Sequence, residues 1–275
     1  MKNLRFLSIL AILLVASLVL ISCSKDDKKP TAPPTPDFEE YHIQSSLWNY
    51  QHVLWFDLQY QDDVSGLADV LVSMSARGDD NTNYSLTIGA REIEFDHVTS
   101  YTKGKIYSWG EIGLSTDQPV SYKINKIVNG APQVVYEGSV TALPKRINVA
   151  TWPEFAQNVN YSPSWSINPE PNFHVIDALV GDDDSGSSLV RQIPGNEQTY
   201  TLLKSFWEPF DEVNYFYFGI NAISFELQHK YKVLIVGNSN TSYDWNDVEE
   251  GNGQAPRKPG SQFRFMDKIE QEIVK

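Results

Sequence analysis

From Tyr41 onward, apolar side chains recur mainly at every second position instead of at the 3.6-residue spacing of a helix, so the chain predicts strands. Over His52–Tyr60 one face carries Leu54, Phe56, Leu58 and Tyr60, while Val53, Trp55, Asp57 and Gln59 fall on the other. The first set is the predicted core face, which turns Trp55 outward. A turn at 62–66 leads into Leu67–Ser75, with Ala68, Val70, Val72 and Met74 on one side. Tyr84–Ile88 reads as a further strand, and Glu92–Phe95 and Lys105–Leu114 read as short strands around an irregular excursion. Val120, Tyr122, Ile124 and Val128 alternate with polar residues, and Asn129-Gly130 marks a hairpin into Gln133–Leu143. Short strands with a turn every 8 to 12 residues predict a β-sandwich.

The alternation restarts after Pro144-Lys145. Strands are predicted at Phe173–Val180, Glu197–Leu203, Val213–Ser224 and Tyr231–Gly237, with Phe216, Phe218 and Ile220 inward and Tyr215 and Tyr217 outward. Beyond 246, Phe265, Ile269 and Ile273 recur at helical spacing in a tail rich in glycine and proline, which predicts a flexible segment with a short amphipathic helix. The fold class is therefore all-β, with two tandem sandwiches at 38–143 and 144–245 and a tail at 246–275.

At the other end, Lys2 and Arg5 precede a 16-residue apolar run, Phe6–Ile21, too short for the roughly 20 residues of a membrane-spanning helix. It ends in Leu20, Ile21, Ser22 and Cys23, the only cysteine, followed by Lys25, Asp26 and Asp27. That pattern resembles the lipobox of bacterial lipoproteins. The resemblance implies cleavage after residue 22, lipidation of Cys23 and attachment to a membrane through the lipid, and three acyl chains would make release very slow. Residues 24–28 also look like the short acidic signal of some surface-exposed lipoproteins. The outer membrane is the expected location, with the cell surface favoured over the periplasmic face. Residues 23–37, with four prolines and no large apolar side chain, form a linker on the order of 40 Å if extended.

Composition narrows the function classes. Cleavage would take the chain from 275 to 253 residues and remove two cations, moving the formal charge from −13 to −15, which disfavours nucleic acid and anionic lipid as partners. With Cys23 consumed by the anchor no disulfide is expected, so each sandwich must stand on its apolar core. The segments DDVSGLADVLVSM and INKIVNGAPQVVYEGSV look like bacterial immunoglobulin-like domains. Trp165, with the proline-rich Asn168–Pro171, resembles the second strand and turn of fibronectin type III domains, although Phe216 stands where that family has a tyrosine and the spacing from Trp207 and Pro209 to the sixth strand is about two residues longer.

No catalytic constellation is visible. His42, His52, His97, His174 and His229 share no metal-ligand spacing, and no phosphate-binding loop or nucleophile elbow occurs. No enzyme activity and no cofactor are expected. Asp182, Asp183 and Asp184 form a weak calcium candidate, outweighed by a solvated loop, since the alternating ligand spacing of an EF-hand is missing. Arg77-Gly78-Asp79 spells an integrin-type tripeptide without supporting context. Trp55, Tyr215 and Tyr217 are the candidate ligand-binding residues, because outward aromatics suit protein partners and sugar rings. The expected role is non-catalytic binding or adhesion, with a glycan-uptake lipoprotein or a structural envelope subunit as alternatives.

Overall fold

The first predicted strand forms with the expected bounds, and both of its faces are buried. β1 (His52–Tyr60) has Leu54, Phe56 and Leu58 on one side, and Val53, Trp55 and Asp57, each at most 4% exposed, on the other. Its position explains this, because β1 lies between two neighbours in the interior of a sheet, where side chains on both faces lose water. The computed structural model describes residues 48–60, 66–78, 81–141, 143–182 and 185–246. The residues of the expected lipobox, proline-rich linker and tail helix lie outside them.

The strands that follow are β2 (Leu67–Arg77), β3 (Asn83–Ile88), β4 (Arg91–Glu92), β5 (His97–Tyr101), β6 (Gly104–Ser115), β7 (Val120–Val128) and β8 (Ala131–Val140). After them come β9 (Phe173–Gly181), β10 (Gly186–Pro194), β11 (Tyr215–Gln228) and β12 (Val233–Asn246), with one 3-10 turn at Lys204–Phe206. No α-helix occurs among the described residues. The protein is all-β and has two sheets, β10-β9-β11-β12-β1-β2-β6-β5 and β4-β3-β7-β8.

The small sheet packs on one end of the large one. Leu86, Ile88, Tyr122, Ile124 and Val140 meet Leu54, Phe56, Leu58, Val70, Val72 and Met74, all at most 2% exposed apart from the outer rim, in a first core. The predicted hairpin joins β7 to β8, with Asn129 (φ 52°) and Gly130 (φ 79°) both left-handed as a type I′ turn requires. Of the predicted strand Glu92–Phe95 only Glu92 lies in a strand, the two-residue β4, and a strand not anticipated from the pattern, β5, pairs with the start of β6. A bulge sets Ser108 and Trp109 against Ser73, with Trp109 at φ 64°, so the inward phase of β6 shifts from Tyr107 to Gly110, Ile112 and Leu114.

The second core lies on the same face of the large sheet, at its other end. Phe216, Phe218, Ile220 and Ala222 of β11 point inward as predicted, each at most 1% exposed. Their cover is an irregular layer carrying Phe155, Tyr161, Trp165, Leu202, Trp207 and Phe210, instead of a second sheet. The predicted strands around Trp165 and Glu197–Leu203 appear only as isolated bridges, Asn148 to Ser166, Tyr161 to Leu202 and Ser164 to Thr199. Pro153, Pro163, Pro169 and Pro171 supply no amide donor in this layer, which works against a continuous ladder. Phe216, placed where the fibronectin family has tyrosine, stacks on Phe155 with ring centroids 4.2 Å apart.

The expected division at 143/144 is crossed by the large sheet. β12 runs to Asn246, well past the Gly237 predicted as its end, and pairs antiparallel with β11 and parallel with β1. Val233 and Ile235 of β12 belong to the first core, whereas Tyr243 and Trp245 pack on the second. The last strand of the second lobe therefore completes the sheet of the first.

Candidate functional site

Both cores lie on one face of the large sheet, so alternation sends a second set of side chains to the other face. Pairing register arranges them in bands. At one end, Val53, Leu234 and Leu227 are followed by Trp55, Val236 and Phe225, and with Tyr50, Phe173, Val175 and Ile223 they form a third apolar cluster. Next comes a polar band crossing three central strands. Asp57 accepts hydrogen bonds from Asn238 Nδ2 (3.2 Å) and Asn240 Nδ2 (3.1 Å), Asn238 Nδ2 also reaches Asn221 Oδ1 (3.4 Å), and Asn221 donates to the Val175 carbonyl (3.4 Å). Asp57 and Asn238 are 4% and 2% exposed, so these bonds act where water does not compete and an amide-to-carboxylate contact is at its strongest. Asn238 Oδ1 and Gln192 Oε1 are buried acceptors with no partner among the described residues.

Beyond Gln59 the band opens into a cleft of about 420 Å³ lined by Gln59, Asp69, Leu71, Arg91, Glu111 and Gly113 among others. Strands β1, β2 and β6 build its floor, and Arg91 reaches it from β4. Its rim is exposed at Asp69, Arg91, Glu111 and Gly113, and Leu71 supplies an apolar floor.

The predicted aromatic site divides. Trp55 does not face solvent: it is 4% exposed inside the third apolar cluster, because β1 is an interior strand and its second face is covered too. That places it outside any accessible ligand surface. Tyr215 and Tyr217 do share the outward face of β11, on the side of the Asn–Asp band. Tyr215 is 36% exposed, and its hydroxyl lies against Gly181 and Gly186, where a side chain would collide with it. Tyr217 is half-buried over Gly219, whose own Cβ would come within 2.5 Å of the tyrosine hydroxyl. Burial, then the carboxylates of Asp177 and Asp244, push the Tyr217 phenol far up, so it stays protonated as a hydrogen-bond donor. Burial also raises the Asp244 carboxyl.

In the acidic turn, Asp182 Oδ1 accepts from the Ser185 amide (2.7 Å) and hydroxyl (3.0 Å), while Asp183 and Asp184 lie outside the described residues. No group of three His, Cys, Asp or Glu side chains able to hold a metal occurs among the described residues. Arg77 Nη1 donates to the Trp48 carbonyl (3.3 Å), which ties this residue of the tripeptide to the chain ahead of β1.

Two histidines belong to the cores. His52 is 1% exposed between the edges of Tyr84 and Tyr136, and His174 is fully buried, its Nε2 accepting from Trp165 Nε1 at 3.3 Å. Burial lowers both to about 4. The unfolded chain protonates them below about 6.5 while the fold keeps them neutral, so it binds more protons than the native state between those limits. Stability is expected to fall as pH drops from 6.5 toward 4, at up to about 1.4 kcal/mol per pH unit for each histidine. Urea midpoints at pH 7 and 4.5 check this: His52→Gln should flatten the decline, and an unchanged slope in that variant would remove the histidine from the account.

No protein-family model matches the chain, and no curated protein matches it. Among solved structures it is similar to the full-length RrgB pilus protein from Streptococcus pneumoniae, at 9% identity and a TM-score of 0.16. The match spans 68% of this chain and 40% of that one, so the chain covers less than half of the pilus protein. At that score the likeness decides nothing about fold or role, and the all-β architecture rests on the strand pairing itself.

Proposed function

We propose that the protein is an outer-membrane lipoprotein, anchored through Cys23, whose two β-sheet lobes serve non-catalytic binding or adhesion. The anchor rests on one observation: the only cysteine follows Leu20-Ile21-Ser22 at the end of a charged and then apolar leader. The binding role is supported by the open cleft with its mixed polar lining beside the Asn–Asp band. Burial of Trp55 moves the ligand surface from the aromatics to this cleft and to the Tyr215 rim. A second reading, glycan capture, draws on the same amides and carboxylates, which are suited to sugar hydroxyls, and a glycan array with the purified protein tests it.

Anchoring has a direct test. In detergent phase partition the wild type should enter the detergent phase and incorporate labelled palmitate, and Cys23→Ala should move to the aqueous phase without label. A wild-type protein found in the aqueous phase would exclude the anchor. Protease shaving of intact cells then separates surface display from periplasmic exposure.

A further inference from the structure

We propose that the end of the molecule carrying Arg77, Lys103, Lys126, Lys230 and Lys232 docks on the anionic headgroup surface of a membrane. This goes beyond the binding reading above and concerns a different part of the protein. Main-chain bonds tie the strand ends there into one row. The Gln51 and His52 amides donate to the Lys232 carbonyl (2.9 and 3.0 Å), the Arg77 amide to the Gln51 carbonyl (2.8 Å), and the Gly78 amide to the Lys103 carbonyl (3.1 Å). At the usual strand spacing of about 4.8 Å, Lys232, Arg77 and Lys103 fall along roughly 15 Å. Lys126 comes from the small sheet, where it pairs with Tyr84, whose ring meets that of His52 at 4.8 Å.

These cations differ from the others in how they are used. All five residues are exposed, and none forms an ion pair among the described residues, whereas Lys123, Lys145 and Lys204 are engaged by Glu137, Asp117 and Glu208. Glu226 on β11 is held by Thr141 and Gln228, and Asp79 and Asp80, in the connection from β2 to β3, offset two of the five charges. A positive end therefore sits on a chain of formal charge −13. Screening over about 8 Å at physiological salt lets a surface in contact respond to these local charges and not to the distant carboxylates.

The turn between β11 and β12 adds an aromatic to them. His229, Lys230 and Tyr231 have φ of 50°, 53° and 69°, a left-handed run without glycine, and such costly backbone concentrates at functional sites. Tyr231 is 40% exposed between two lysines, and tyrosine flanked by cations suits the boundary between headgroups and water. The chain also enters the described fold at this end. Trp48, the first described residue, accepts from Arg77 through its carbonyl, and its ring lies 6.2 Å from that of Tyr101. A chain anchored at Cys23 would lead into this end, and the membrane that holds the anchor would supply the anionic surface.

The test is sedimentation of the full chain carrying Cys23→Ala with vesicles of phosphatidylcholine alone or mixed equally with phosphatidylglycerol. Binding to the mixed vesicles is expected to be at least about tenfold tighter, a preference that high salt abolishes. Lys230→Glu with Lys232→Glu should weaken it at least about tenfold at an unchanged melting temperature. Arg191→Glu with Lys204→Glu, the same change of net charge at exposed positions elsewhere, should leave it within about twofold. Equal binding to both vesicles, no binding, or equal weakening by the two double variants overturns the proposal, and tighter binding to a double-stranded oligonucleotide overturns the membrane as partner. Phase partition of the wild type is read independently, so a failed anchor and a failed docking surface are told apart.

Discussion

Expressed alone, residues 34–146 should not fold, although the pattern of their strands suggests a self-sufficient sandwich. The missing piece is β12. It supplies Val233 and Ile235 to the first core, at 0% and 2% exposed, and pairs with β1 over seven residues from His52 to Leu58. Without it, β1 becomes an edge strand with Val53 and Trp55 facing water, side chains now 0% and 4% exposed. Losing large buried aliphatic side chains costs about 2 to 5 kcal/mol each, and the lost ladder adds to that, against a total stability of about 5 to 15 kcal/mol for a domain. The expected outcome is a fragment with poor amide dispersion by NMR and self-association on gel filtration. Co-expression with residues 147–275 should restore a dispersed one-to-one complex. A cooperative unfolding transition for 34–146 alone, near the melting temperature of the whole chain, would show that the shared strand is dispensable and the two lobes independent.

That shared strand also marks where the sequence stops being readable. The inward sets of β1, β2, β7 and β11 follow from alternation, because a strand with one apolar face and one polar or mixed face admits a single orientation toward a core. Asp57 misleads for the same reason. A carboxylate in the second set suggests a solvated face, but here it is buried by amides arriving from Asn238 and Asn240, about 180 residues away in sequence. Those asparagines lie in a polar run, NSNTSYDW, whose low strand propensity points to a loop beyond Gly237. The run is held as strand by its two neighbours and by the bonds to Asp57. In β6 the bulge at Trp109 shifts the phase by one residue, so strict alternation puts Trp109 and Glu111 inward where the fold has Gly110 and Ile112. The cleft was invisible for a related reason: Gln59, Asp69, Arg91 and Glu111 come from four strands and share no sequence spacing.

Trp207→Ala should cost about 3 to 5 kcal/mol, the range for removing a large aromatic from a core. The side chain is fully buried, edge-on to Phe155 (5.2 Å) and Phe216 (5.8 Å), and its indole N–H donates to the Gln157 carbonyl. Its context magnifies the loss. The layer that carries it is fastened by isolated bridges and not by a ladder, so aromatic packing supplies much of what holds residues 147–167 and 198–210 over β11. Removing the indole opens a void beside the stacked Phe155 and Phe216 and leaves the Gln157 carbonyl without its indole donor. Urea denaturation should show the fall in stability. Hydrogen exchange should locate it, with amides at Tyr161 and Leu202, which bond one another across the layer, losing protection before those of β1 and β2. Equal loss of protection in both lobes would mean that the shared sheet transmits the damage and the layer has no separate stability. An unchanged urea midpoint would mean that the void is filled by repacking and that the tryptophan does not hold the layer in place.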